Sequence, residues 1–247
     1  MSPMIGKPFI QLDTVDSSNN HAKDQFRMGL AEYGTAFFAI EQTQGRGQRD
    51  RNWQSQKGAN IVLTVIVDCR ARDPHNAFVF NAQIARCCYD FFHSYAGDET
   101  SIKWPNDIYW RDRKAGGILI ENAVRNGIWE AAFVGIGINI NQTAFDATAV
   151  RPVSLKQITG KSYAPQMLAQ ELCTLMHQHL TQQDHISEQE ILHAYSSVLF
   201  KKDQPVLLQT PRWKKEAYIL GVNRTGQLLV RHEEEEALQH GEVSWLL

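Results

Sequence analysis

The sequence predicts an α+β protein, with a largely antiparallel central sheet flanked by helices and a small β-barrel at the C-terminal end. Three observations carry that expectation. Apolar residues recur at helical spacing over residues 17–33, from Pro74 to about Tyr95, and from Pro165 onward. Between Ser101 and Asn141 the pattern changes to successive strands. After Lys202 it changes again, to about 45 residues of short strands parted by turns.

The elements follow in order. Ser17 or Ser18 caps the first helix, Ala22, Phe26, Leu30 and Tyr33 form its apolar stripe, and Gly34 is its expected stop. Residues 35–41 read as a buried strand. Residues 42–58 hold three glycines and almost no apolar side chain, so they form a long loop of the kind usually kept for function. Residues 60–68, rich in Ile and Val, read as a second strand. Asp73 followed by Pro74 opens a helix whose Phe78, Ile84, Cys88 and Phe91 fall near helical spacing, with Gly97 beyond its end. Strands are expected at residues 102–110, 116–124 and 128–139. Asn126-Gly127 joins the last two, because a type I′ turn needs positive φ at both central positions. Leu168, Leu172, Leu175 and Met176 mark the helix from Pro165, and Ser187 with Glu190 forms a capping box for another. The barrel strands are residues 206–209, 217–222, 227–231 and 243–246, with the acidic run 233–236 as a solvated turn. The expected domains are therefore 1–202 and 203–247.

Composition narrows the function classes. With 25 Lys and Arg against 27 Asp and Glu the formal net charge is −2, which argues against a nucleic-acid or anionic-membrane binder working through bulk charge. The longest apolar run, residues 59–67, is interrupted by Asn60 and Thr64 and is too short for a membrane span. The first residues carry no charged segment leading into an apolar stretch, so no signal peptide and a cytoplasmic location are expected. Cys69, Cys87, Cys88 and Cys173 form no C-x-x-C pair and lie among apolar residues, so buried thiols are expected.

Three stretches carry chemistry. In Gln42-Thr43-Gln44-Gly45-Arg46-Gly47-Gln48-Arg49-Asp50-Arg51-Asn52-Trp53, the glycines permit a nest of backbone amides, and Arg46, Arg49 and Arg51 add guanidinium forks suited to carboxylate or phosphate. A basic loop that only keeps the protein soluble fits these residues equally well. The spacing of a P-loop is absent. In Lys103-Trp104-Pro105-Asn106-Asp107, Trp and Pro break a strand ladder; Lys114-Ala115-Gly116-Gly117-Ile118-Leu119-Ile120-Glu121 follows, where two small residues after Lys114 let a ligand or backbone come close. For Lys114 alone, an exposed side chain on an edge hairpin is the simpler reading. Gly135-Ile136-Gly137-Ile138-Asn139-Ile140-Asn141 leaves one strand face nearly bare, which tight strand packing explains as well as ligand binding.

Together with Asp16-Ser17-Ser18-Asn19, these stretches resemble the biotin protein ligases in order and approximate spacing, over nearly the whole chain. The resemblance implies a mixed, largely antiparallel sheet of the biotin ligase and class II synthetase kind, with an SH3-like C-terminal barrel. It also implies a two-step reaction using biotin, ATP and Mg²⁺. Biotin's carboxylate attacks the α-phosphate of ATP, and a lysine of a biotin carboxyl carrier protein or domain then attacks the resulting biotinyl-AMP. By the resemblance, Ser17, Ser18, Gln42, Arg46, Gly47, Gln48 and Lys114 contact biotin, while Asn19, Gly45, Asn106, Gly116, Gly117 and Gly135 complete the ligand-binding set. Trp53 stacks on adenine, Asn139 lies near the phosphates and metal, and Arg49 and Arg51 hold phosphates. Arg46, Lys114 and Asp107 form the catalytic set, Asp107 receiving or orienting the acceptor lysine, and no catalytic residue is expected from the C-terminal strands.

Gln48 departs from the family, which often has a second loop arginine there. About 15 residues precede Asp16, so the DNA-binding domain of some members, and with it a repressor role, is not expected. Members occur as monomers and as dimers through sheet edges, which leaves a homodimer open. The competing readings are a lipoate or octanoate ligase and a catalytically silent binder of biotin or its adenylate.

Overall fold

The computed structural model describes residues 3–146, 151–181 and 186–246. A seven-stranded sheet in the order β1-β2-β3-β7-β6-β5-β4 forms the larger unit. Strand β1 (Phe9–Val15) lies parallel to β2 (Ala36–Gln42) at one edge, which makes the sheet mixed; every other pairing in it is antiparallel. The sequence reading missed β1, a half-exposed edge strand of seven residues.

Helix α1 (Ser18–Arg27), with Ser17 at its N-cap position but making no side-chain cap bond, is shorter than expected. It stops because Gly29 takes φ 71° just beyond Met28, a conformation that favours glycine, so the stop is Gly29 and not Gly34. Leu30, counted in the helical stripe, is instead an exposed loop residue. Strand β3 (Ile61–Asp68) is central and almost wholly buried, and α2 (Ala77–Ala96) follows a short 3₁₀ turn at Pro74–Asn76 whose cap is Asp73. The single strand expected at 102–110 is two: β4 (Thr100–Lys103) and β5 (Asp107–Trp110), antiparallel with Lys103 opposite Asp107. Trp104-Pro105-Asn106 makes the turn, since proline has no amide to continue a ladder. Strands β6 (Arg113–Arg125) and β7 (Ile128–Ile138) join through Asn126 and Gly127 at φ 52° and 76°, the turn the sequence predicted.

Helix α3 (Leu155–Thr159), which the sequence reading did not foresee, opens with a Ser154–Gln157 capping box; α4 (Pro165–Thr181) and α5 (Glu188–Ser196, capped by Ser187 and Glu190) begin where predicted. Apolar side chains of β3 and β7 meet α2 and α4 on one sheet face in the main core, which includes all four buried cysteines. On the other face α1 covers a smaller cluster around Ala22, Phe37 and Phe133. No helix among the described residues is long and apolar enough to cross a membrane.

The C-terminal strands β8 (Pro205–Gln209), β9 (Lys214–Val222), β10 (Leu228–Arg231), β11 (Glu235–Leu238) and β12 (Ser244–Trp245) form a separate antiparallel sheet in the order β11-β10-β9-β8-β12. Half of the acidic run is strand rather than turn. Glu235 and Glu236 begin β11, and Glu236 is held by Arg212, Trp213 and His232.

This sheet shares the main core. Val206, Leu208, Ile219 and Leu228 are buried with α2 and the larger sheet, Trp104 Nε1 donates to Gly226 O at 3.0 Å, and Arg224 reaches Glu188 at 2.9 Å. Ending the chain at Lys202 is therefore expected to strip cover from that core and abolish activity. Full biotin-dependent turnover by the folded truncated chain would show these strands to be dispensable.

Candidate functional site

A cleft of about 950 Å³ lies on the α1 face of the larger sheet. Its floor is set by strand register. Asp107, Gly117, Gly137 and Val62 stand in one row across β5, β6, β7 and β3, and Leu119, Gly135 and Thr64 in the next. Three of these seven positions are glycines, so much of the floor is backbone. A Cβ on Gly137 would meet the Trp53 ring at 2.5–2.8 Å, and one on Gly135 would press into the Asn19 amide.

One end of the cleft is lined by the uncharged polar side chains of Ser17, Ser18, Asn19 and Gln42, beside an ion-paired Glu121. Ser17, Ser18 and Asn19 are buried at the start of α1. The Ser18 amide donates to Gln42 Oε1 at 2.7 Å, and the Thr64 hydroxyl lies 2.8 Å from Ser18 Oγ and 2.7 Å from Asn19 Oδ1. Asn19 Nδ2 donates to Glu121 at 3.0 Å, and Lys23 and Arg46 meet the same carboxylate at 3.0 and 3.2 Å. Burial pushes the Glu121 carboxyl up, but hydrogen bonds from Lys23 and Asn19, with the charges of Lys23 and Arg46, outweigh it and hold the group below the ordinary range.

The other end is cationic. Lys114 Nζ lies 2.7 Å from Asp107 Oδ1, over Gly117, where a Cβ would come within 3.3–3.5 Å of both groups. A β-bulge aims Lys114 there. Asp107 pairs with Gly117 and Ile108 with Gly116, but Tyr109 pairs with Lys114, so Ala115 is an extra residue. In an unbulged ladder Lys114 would stand opposite Trp110, on the other face. Asn106 donates its side-chain amide to Ile118 O at 2.6 Å and fixes the turn before Asp107.

The loop after β2 is a small hairpin. Arg46 and Asn52 form a bridge, and the Gly47 amide donates to Arg51 O at 2.6 Å, so it is spent inside the loop instead of in an anion nest. The positive φ falls on Arg49, at 55°, and not on Gly45 or Gly47. Gly45 is needed because a Cβ would strike the Trp53 carbonyl. Few apolar side chains anchor residues 46–52, so their amides are expected to exchange faster without ligand than with biotin and ATP. Equal protection in both states would refute that.

The C-terminal unit closes the cleft. His240, Val243, Ser244 and Trp245 line it, and Arg49 donates to the carbonyl of His240. Of the residues singled out in the sequence, Gly45 and Gly116 do not line the cleft. A Cβ on Gly116 would lie 2.8 Å from the Gly137 carbonyl, so its role is strand packing. The remainder converge there. Asn139 is 4% exposed, and its Nδ2 donates to Val153 O at 3.2 Å, leaving only its amide oxygen for a ligand. Sequence reasoning missed Thr64, His240 and Trp245, and gave no role to Glu121, the end of the Lys114-to-Glu121 stretch. Thr64, a lone hydroxyl inside an apolar strand, was the one with a readable signal.

A family model described as the biotin/lipoate A/B protein ligase family matches residues 12–139, just over half of the chain. The chain belongs to that family. Its fold is that of the biotin protein ligases: the structure of one from Aquifex aeolicus, in complex with biotin and ATP, superposes with a TM-score of 0.80 at 26% identity, covering 97% of this chain and 99% of that one. Among curated family relatives, the Escherichia coli bifunctional ligase/repressor BirA is 32% identical over 56% of this chain and 42% of its own length, so the aligned part spans less than half of that protein. The Paracoccus denitrificans biotin--[acetyl-CoA-carboxylase] ligase is 28% identical over 89% of this chain and 92% of its own.

Proposed function

We propose that this chain is a biotin protein ligase that activates biotin with ATP as biotinyl-5′-AMP and transfers it to a lysine of a biotin carboxyl carrier protein or domain. The observation that carries this is a nearly bare floor joining an uncharged polar end to a cationic one. A flat apolar ring system with a polar, uncharged head suits the floor and the Ser17–Ser18–Asn19–Gln42 end. A carboxylate and a phosphate must then meet among Arg46, Arg51 and Lys114, where positive charge offsets their mutual repulsion. Both nucleophiles belong to substrates, so the protein's work is positioning and charge stabilisation.

In this reading residues 1–202 supply the catalytic surface and 203–247 the closing wall, with Arg49 tying the loop to it. In the same reading Trp53, whose ring lies over Gly137, covers adenine. Mg²⁺ arriving with ATP neutralises phosphate charge. A cation held mainly by phosphate oxygens needs few protein ligands, and the Asn139 amide oxygen and Asp146, both on the cleft lining, suit that. Mass spectrometry of a carrier domain incubated with this protein, ATP and biotin tests the reading. A biotin adduct on one lysine is expected, with none from lipoate; lipoyl transfer or no transfer would overturn it.

Gln48 lines the cleft in the 3₁₀ turn Gln48–Asp50. An arginine there adds a charged donor, worth roughly 1.5–3 kcal/mol against ~1 for a neutral one. Gln48→Arg is therefore expected to slow biotinyl-AMP release several-fold. Stopped-flow dissociation at an equal or faster rate would mean that Gln48 already supplies what the site needs.

A further inference from the structure

Acyl transfer to a lysine needs a neutral amine, yet the acceptor arrives as an ammonium ion. Some group must take its proton. The resemblance has Asp107 receiving or orienting the acceptor lysine, but here Lys114 occupies that carboxylate at 2.7 Å.

Directly across the hairpin from Asp107 stands Lys103. Its Nζ lies 3.4 Å from the Tyr109 hydroxyl and faces two aromatic rings, Tyr109 at 5.0 Å and Trp245 at 5.4 Å from their centroids. Among the described residues it makes no ion pair, although it lines the cleft. Burial pulls its ammonium down to about 8. Lys114, Arg51 and Arg151 press the same way, and Asp107 alone opposes them. The remaining titratable neighbours are Tyr109, pushed up by burial, and on the C-terminal wall His240, pushed down by burial. An amine so tuned matches the pH at which it would work, which is what efficient proton transfer requires.

We propose that Lys103 is the proton acceptor of the transfer step, its uncharged amine taking a proton from the ε-ammonium of the acceptor lysine. This rests on the ligase reading above. One N–H bond of the acceptor breaks as one forms at Lys103 Nζ. The freed lone pair attacks the acyl carbon of biotinyl-AMP, the new C–N bond forms, and the C–O bond to phosphate breaks with AMP taking the electron pair. The second proton on that nitrogen leaves to water, and Lys103 returns its own to solvent through the cleft mouth.

The test is single-turnover transfer from enzyme loaded with biotinyl-AMP to two nucleophiles: a carrier-domain lysine, and hydroxylamine, which is already uncharged at pH 7. In wild type, transfer to lysine is expected to rise with pH and level off near 8. In Lys103→Met and Lys103→Arg it should fall by about 10²-fold at pH 7, a typical loss for a general base. It should also keep climbing past pH 8, toward the ordinary lysine value near 10.4. Hydroxylamine should react within about threefold of wild type in both variants. Equal losses with both nucleophiles, or a plateau near pH 8 that survives in Lys103→Met, would overturn the assignment. If wild type yields no biotinyl hydroxamate, the ligase reading falls, and this proposal with it.

Discussion

Lys114→Ala keeps its fold and releases pyrophosphate from biotin and ATP about 10²–10³-fold more slowly than wild type, the usual cost of removing one preorganised charge from a reaction centre. The size of the effect follows from where the ammonium stands. It is held over Gly117 on a floor without side chains, and Asp107 fixes its position at 2.7 Å. The stability cost is small by comparison. The side chains of the pair are 28% and 23% exposed, so water solvates Asp107 when its partner is gone, and partly exposed pairs contribute about 1 kcal/mol or less. Thermal unfolding close to wild type, with pyrophosphate release nearly abolished, is the expected pair of measurements. Undiminished release by the folded variant would remove Lys114 from the chemistry.

Gly135→Ala and Gly137→Ala should both abolish adenylate formation, but only the first should also weaken the fold. A methyl on Gly135 presses into Asn19, whose amide cannot yield: Thr64, Leu119 and Glu121 all hold it, and it is buried. Forcing atoms into such a site costs about 1–3 kcal/mol, enough to lower the melting temperature by several degrees. The three atoms nearest a methyl on Gly137 all belong to the ring of Trp53, which sits on a surface loop and can swing away. Its melting temperature should stay put while the covering over the floor is lost. Calorimetry on both variants, set beside pyrophosphate release, separates them; equal melting temperatures would mean that Asn19 relaxes more easily than its hydrogen bonds suggest.

What the sequence displayed, and what it hid, divides along physical lines. Local signals were plain: the Asn126-Gly127 turn, the Ser187–Glu190 box and the Asp73 cap all act within a few residues, and each is found where expected. The end of α1 was misjudged because Leu30 and Tyr33 continue a helical spacing that Gly29 interrupts. The Arg46-to-Asn52 stretch was read for its glycines as an amide nest, yet the amide of Gly47 is satisfied inside the hairpin. The loop's basic character was legible; its hydrogen bonds were not, because they depend on how the chain folds back. The wall made by His240 and Trp245 was out of reach for the same reason. It comes from packing between segments more than a hundred residues apart, for which neither composition nor periodicity gives a sign.

The extra residue in β6 gives this site an odd-or-even character. Side chains on a strand alternate faces, so the position of Lys114 depends on whether Ala115, between it and Gly116, is bulged out of the ladder or paired into it. Pairing Ala115 into a regular ladder would change no charge and no cleft residue. It would nevertheless turn the ammonium away from Asp107, toward the face where Ile108 and Ile138 pack in the core. A chain could therefore carry every side chain discussed here, in the same order, and still lack the cation over the bare floor of the cleft.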